Sequence, residues 1–136
     1  MSATAEAHRF VLDSFALFAH FEAERDGPIV ADLLARAMRS EATLLLSAIN
    51  LGEAVYITER ERGLPMTERL IAAVDALPIE ILDADRSRTL AAAHLKARYR
   101  ISFADAFALG LAIEAEATLV TGDGDLRVEG GIEGDV

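Results

Sequence analysis

Apolar positions in this chain fall into short continuous runs separated by longer stretches of helical spacing. Phe10-Val11-Leu12 is the first run and reads as a buried strand. Ser14 to Glu24 then carries Phe15, Leu17, Phe18 and Phe21, which predicts a helix with a wide apolar face. Gly27-Pro28 breaks that pattern, and Ile29 to Arg39 returns to helical spacing. Thr43 to Leu46 reads as a second strand, and Ala48 to Arg62 as a helix stopped by Gly63 with Pro65 just beyond. Thr67 can cap a helix running to about Ala76, ended by Pro78. Ile79 to Leu82 is a third strand, after which Asp83 or Asp85 caps a helix to about Tyr99. Ser102 opens a helix from Phe103 to Glu116 that is apolar nearly all round, hence buried or at an interface. Thr118 to Thr121 is the fourth strand, and a short edge strand is expected near Ile132.

Strands that alternate with helices predict an α/β protein with parallel pairing. Each strand is a nearly unbroken apolar run, as a sheet covered on both faces requires. No internal repeat or linker interrupts the chain, so residues 1–136 are expected to form a single domain. In such sheets reactive groups lie beyond the carboxyl ends of the strands, where Asp13 and Asp123 fall.

Composition narrows the function classes. A chain with 52% hydrophobic and 26% charged residues is globular rather than disordered. The absence of cysteine excludes a disulfide framework and a thiolate metal site. No apolar run reaches the roughly 18 residues that span a bilayer, so no membrane association is expected. The polar, Ala-rich start lacks the apolar segment of a signal peptide, and a cytoplasmic location is expected. A net charge of −10 repels nucleic acid at long range, although it says nothing about a local site. Nearly all the basic residues are arginine, which binds phosphate through paired donors.

Four acids stand where an apolar run ends or a helix begins or proceeds: Asp13, Glu53, Asp105 and Asp123. Each has an ordinary explanation. Asp13 suits a helix N-cap, with Ser14 an equal candidate. Ser102-Phe-Ala-Asp105 fits a capping box, with the acid favoured by the helix dipole. Glu53 lies inside a helix one turn after Asn50, where a solvated glutamate is common. Asp123 and Asp125 in Thr-Gly-Asp-Gly-Asp suit a tight turn, and the later ligands of a calcium loop are missing. Taken together, the four would converge if the strands pack as a parallel sheet. Such carboxylates repel one another unless a cation compensates, and hard oxygen donors point to Mg2+ or Mn2+. Other chemistries lack support. His8, His20 and His94 have no ligand spacing, Ser14 is not in Gly-x-Ser-x-Gly, and no phosphate-binding glycine loop occurs.

Four segments in order carry a family resemblance: Val11-Leu-Asp-Ser-Phe-Ala-Leu-Phe-Ala19, Ser47-Ala-Ile-Asn-Leu-Gly-Glu-Ala54, Ile101-Ser-Phe-Ala-Asp-Ala-Phe-Ala-Leu109 and Leu119-Val-Thr-Gly-Asp-Gly-Asp-Leu126. With them the chain resembles PIN domains, specifically the VapC-type toxins of bacterial type II toxin–antitoxin pairs. The four occur in family order and spacing, whereas Gly124 and Leu126 depart from the usual residues after Thr-Gly-Asp.

The resemblance implies a three-layer α/β/α sandwich with a mainly parallel four- to five-stranded sheet. It further implies a Mg2+- or Mn2+-dependent endoribonuclease that uses a metal-activated water, leaving 5′-phosphate and 3′-hydroxyl ends. Asp13, Glu53, Asp105 and Asp123 would be its metal-binding and catalytic acids. Ser14, Asn50 and Thr121 would support them or orient substrate, with Asp125 a further candidate, and Glu24 matches an acid after the first helix. The implied partners are an RNA substrate, a cognate antitoxin and a second copy in a homodimer; Phe15, Phe18 and Phe21 either meet the antitoxin or pack in the core. Two rivals remain: a catalytically silent PIN-like module binding RNA or protein, and a phosphatase with an aspartyl nucleophile. The second usually needs another Asp two residues after the first, where Phe15 stands.

Overall fold

The computed structural model describes residues 8–22, 27–121 and, as backbone only, 127–129. Five strands form one sheet: β1 (His8–Leu12), β2 (Ala42–Ser47), β3 (Ile79–Leu82), β4 (Thr118–Val120) and β5 (Arg127–Glu129). Their spatial order is β3-β2-β1-β4-β5, so β1 lies at the centre. The pairs β1–β2, β1–β4 and β2–β3 are parallel, and β5 closes the edge antiparallel to β4. Among the described residues six helices connect them: α1 (Ser14–Phe21), α2 (Gly27–Met38), α3 (Ala48–Arg62), α4 (Leu64–Ala76), α5 (Arg86–Arg98) and α6 (Phe103–Ala115). An edge strand lies at 127–129; Ile132, near which the sequence leads one to expect such a strand, is outside the described residues.

Register explains why the strand sequences are apolar on both faces. Val11 pairs with Leu45 and Leu119, and this row packs with Ala92, Leu95, Phe107 and Leu111 of α5 and α6. The neighbouring row of Leu12, Leu46 and Val120 packs on the other face with Leu17, Leu33, Leu34, Leu70 and Val74 of α1, α2 and α4. Alternate residues of one strand thus serve two cores, and the result is a three-layer α/β/α sandwich. Helix α3 joins both: Ile49 packs against the first core, and Ala54 belongs to the second.

Two glycines mark departures from the sequence reading. The two helices expected around Gly27-Pro28 are both present, but this pair begins α2 rather than preceding it, since a proline in the first turn loses no helical hydrogen bond. A Cβ on Gly27 would stand 2.7 Å from the carbonyl oxygen of Ala19, so the start of α2 approaches α1 as closely as only glycine permits. Gly63, at φ 91°, ends α3 and starts α4 by itself. Thr67 is therefore not a cap. It sits inside α4 and donates its hydroxyl to the Gly63 carbonyl at 3.0 Å.

Candidate active site at the carboxyl ends of β1 and β4

The chain proceeds from β1 outward through β2 to β3, then returns to place β4 on the other side of β1. Ligand sites of open parallel sheets lie at such a reversal, beyond the carboxyl ends of the strands. Asp13 leaves β1 there, and its backbone N–H donates to the Val120 carbonyl at 3.2 Å, extending the β1–β4 ladder past the strand. Asp13 is 4% exposed. Its side chain caps α1, with Oδ1 accepting from the Ala16 N–H at 2.8 Å. A carboxylate has two oxygens and several lone pairs, so capping a helix and binding a cation are compatible roles.

The next residue, Ser14, is buried and donates its hydroxyl to Glu53 Oε1, joining the start of α1 to α3. Helix α3 starts at Ser47, a buried residue whose Oγ accepts from the Ile49 N–H at 3.1 Å. One turn before Glu53, Asn50 is wholly buried and donates from Nδ2 to the Ala104 carbonyl at 3.2 Å, in the first turn of α6. Asp105 is half-buried in that turn, and its N–H is held by Ser102 Oγ at 3.0 Å, the capping arrangement that the sequence predicts. A chain of hydrogen bonds therefore links the beginnings of α1, α3 and α6 around the end of β1. Ser47 is the member that sequence reasoning missed; a Ser directly before an apolar helical run is its only signal.

Ser14 and Glu53 are brought into direct contact, and Asn50 is tied to the turn that carries Asp105. Thr121 follows β4, half-buried and engaged in an interaction. Asp123, Asp125 and Glu24 lie outside the described residues. Among the described residues, no three His, Cys, Asp or Glu side chains group closely enough to hold a metal ion. The donor set nevertheless suits a hard cation, since Asp13, Glu53 and Asp105 offer only oxygen. Asn50 Oδ1 adds an observation of the same kind. It is buried with no hydrogen-bond partner among the described residues. Leaving such an acceptor unpaired costs about 1–3 kcal/mol, a penalty that a cation or an ordered water would relieve.

Among the described residues, hollows also lie elsewhere. A cavity of about 230 Å³ is walled by Ser47, Leu82, Arg88, Phe107 and Glu114, between α5, α6 and the ends of β2 and β3. An open groove of about 800 Å³ runs beside His8, Phe10, Pro28, Arg36 and Thr118, toward the amino ends of β1 and β4. Neither is lined by the three acids, and topology favours the strand ends over cavity size as the site. Arg88 spans Glu114 with two hydrogen bonds of 3.1 Å, and that carboxylate holds its guanidinium above the usual arginine range. No helix among the described residues is long and apolar enough to cross a membrane.

Solved structures share this architecture. VapBC2 from Rickettsia felis, bound to a DNA fragment from its promoter, is similar at TM-score 0.63 and 21% identity, over 83% of this chain and 86% of that one. VapC20 from Mycobacterium tuberculosis, a Sarcin-Ricin loop cleaving toxin, is similar at TM-score 0.62 and 15% identity, over 85% and 92%. A toxin–antitoxin complex from Klebsiella pneumoniae follows at TM-score 0.59 and 17% identity, over 82% and 83%. At these identities the likeness is one of fold. No curated protein matches the sequence. The family model for the PIN domain matches residues 10–129, from the middle of β1 to the end of β5. The chain belongs to the PIN domain family.

Proposed function

We propose that this chain is a Mg2+- or Mn2+-dependent endoribonuclease, the toxin of a toxin–antitoxin pair. The observation that carries the reading is the hydrogen-bonded frame Ser14–Glu53, Asn50–Ala104 and Ser102–Asp105, which gathers three acid-bearing segments around the end of β1. Membership in the PIN family supports it, as do structural neighbours that include a Sarcin-Ricin loop cleaving toxin and a toxin–antitoxin complex.

In this reading Asp13, Glu53, Asp105 and Asp123 would hold the cation. A divalent ion held there would lower the pKa of a water and neutralise charge on a phosphate oxygen. The chain's own residues supply position. The Ala16 N–H fixes the Asp13 carboxylate, Ser14 orients Glu53, and Asn50 sets the height of the α6 start against α3. Thr121 and Asp125 would orient the phosphate or the ligating acids. The partners are RNA, an antitoxin protein and a second copy of the chain, and the setting is a cytoplasmic one-domain protein.

The test is incubation of purified chain with RNA in Mg2+, in Mn2+ and in EDTA, followed by mapping of the ends. Cleavage that needs the metal and leaves 5′-phosphates is expected. No cleavage of any RNA, or cleavage undiminished in EDTA, overturns the reading. One observation favours a second reading, a silent module that binds RNA or protein: no group of three acids within reach of one ion occurs among the described residues. Calorimetric titration with Mn2+ separates the two, because that module takes up no metal.

A further inference from the structure

Charge is distributed unevenly along this acidic chain. Between residues 86 and 104 there is no Asp or Glu, yet five of its 13 Lys+Arg fall there: Arg86, Arg88, Lys96, Arg98 and Arg100. Two of them are already engaged. Arg88 is held by Glu114, and Lys96 Nζ donates to the Ile101 carbonyl at 2.9 Å. Arg86 stands at the far end of α5, about 18 Å from Arg98 at the helical rise. Arg98 and Arg100 remain, exposed and without an ion pair among the described residues. They flank the connection that leads into α6.

That connection is built to hold them still. Tyr99 and Ile101 turn inward and pack on the α5–α6 core, so Arg98 and Arg100 alternate outward. The Lys96 hydrogen bond and the Tyr99 N–H bond to the Leu95 carbonyl pin the same turn. Phe103 follows at the start of α6, 43% exposed, its ring set edge-on against buried Phe107 at 5.1 Å between centroids. A large exposed ring braced in this way loses little freedom when a flat partner covers it.

We infer that Arg98, Arg100 and Phe103 form the platform over which single-stranded RNA enters the site, the arginines holding phosphates and Phe103 stacking one base. The inference rests on the proposed function and extends it. A chain of net charge −10 gains little from general attraction to a polyanion, so its affinity must come from such a local strip. Phe103 lies two residues before Asp105, which brings the phosphate next to a stacked base toward the acids. Stacking on an aromatic ring tolerates any base, so this contact sets position rather than sequence.

Fluorescence anisotropy of the full chain with a labelled single-stranded RNA in EDTA, across a salt series, tests it. Arg98→Gln and Arg100→Gln should each weaken binding several-fold and flatten the plot of log K against log salt by about 0.7. Arg69→Gln, an equal charge change on exposed α4, should match wild type. Phe103→Leu should weaken binding by about 5- to 100-fold with the salt slope unchanged, and Phe103→Tyr should restore it. Unchanged binding in Arg98→Gln, Arg100→Gln and Phe103→Leu alike, with wild type binding RNA, overturns the inference. So does loss of a protein partner with RNA binding and cleavage intact, which would make the strip a protein-docking surface. If wild type itself neither binds nor cuts RNA, the proposed function fails instead.

Discussion

At the start of α1 the acid itself closes the helix, whereas at the start of α6 a serine closes it and the acid stands three residues further in. Asp13 is buried and bound to its own helix, while Asp105 is half-buried and leaves the capping to Ser102. Both are candidate ligands of one site, yet only Asp13 is also part of the scaffold. A substitution at Asp13 therefore mixes chemistry with folding, and one at Asp105 separates them.

The largest expected effect ignores that difference. Asp13→Asn and Asp105→Asn should each lower RNA cleavage by more than the roughly 10- to 100-fold typical of groups that merely support a metal ligand. Asparagine at position 13 still caps α1, and Asp105 caps no helix, so both variants should melt near wild type in a thermal scan. Full activity in either variant would remove that residue from the site. A purely structural contrast comes next. Gly27→Ala forces a Cβ against the Ala19 carbonyl at the far end of α1 and should cost about 1–3 kcal/mol in urea unfolding.

Truncation then brings out the asymmetry. Asp13→Ala should lose about 0.5–2 kcal/mol through the orphaned Ala16 N–H, and Asp105→Ala no more than about 0.5 kcal/mol. At α6 the cost should move to Ser102→Ala, about 1 kcal/mol, with metal binding retained in a calorimetric titration. Equal losses for the two Asp→Ala variants would break the comparison. The smallest effect serves as the baseline. Glu41 is exposed, and its hydrogen bond with Arg39 lowers its pKa, so the pair helps above the ordinary glutamate range and its contribution fades as the pH falls. Glu41→Gln should shift the melting temperature barely at neutral pH and low salt, and not at all at acid pH.

Much of this arrangement was legible in the order of residues. Runs such as Leu44-Leu45-Leu46 must be covered on both faces, which already implies a parallel sheet between helical layers. Asp13 and Ser102 announced their helix starts through side-chain chemistry alone. Thr67 misled, because a serviceable cap three residues inside a helix looks the same in sequence as one at its start. What decided the matter was Gly63, whose positive φ lets one residue join α3 to α4. Gly27-Pro28 marked the second helix correctly and shifted only its first residues, since a breaker is tolerated at a helix beginning.

The frame at the candidate site was harder to foresee. Glu53 and Asn50 look like any polar pair on a helix; only packing shows that one meets Ser14 and the other the α6 backbone. Phe103 offers a similar lesson, because its exposure depends on how α6 lies against α5 and not on local spacing.

The hydrogen bond from the Asp13 N–H to the Val120 carbonyl sets the alignment of two distant stretches of chain at their shared end. A one-residue slip of β4 against β1 would swap the sides met by Leu119 and Val120 and slide a different carbonyl opposite Asp13. Whatever follows Thr121 would then start from the wrong side of the sheet. The length of this three-residue strand is thus a constraint on the candidate site as strict as the identity of any acid proposed for it.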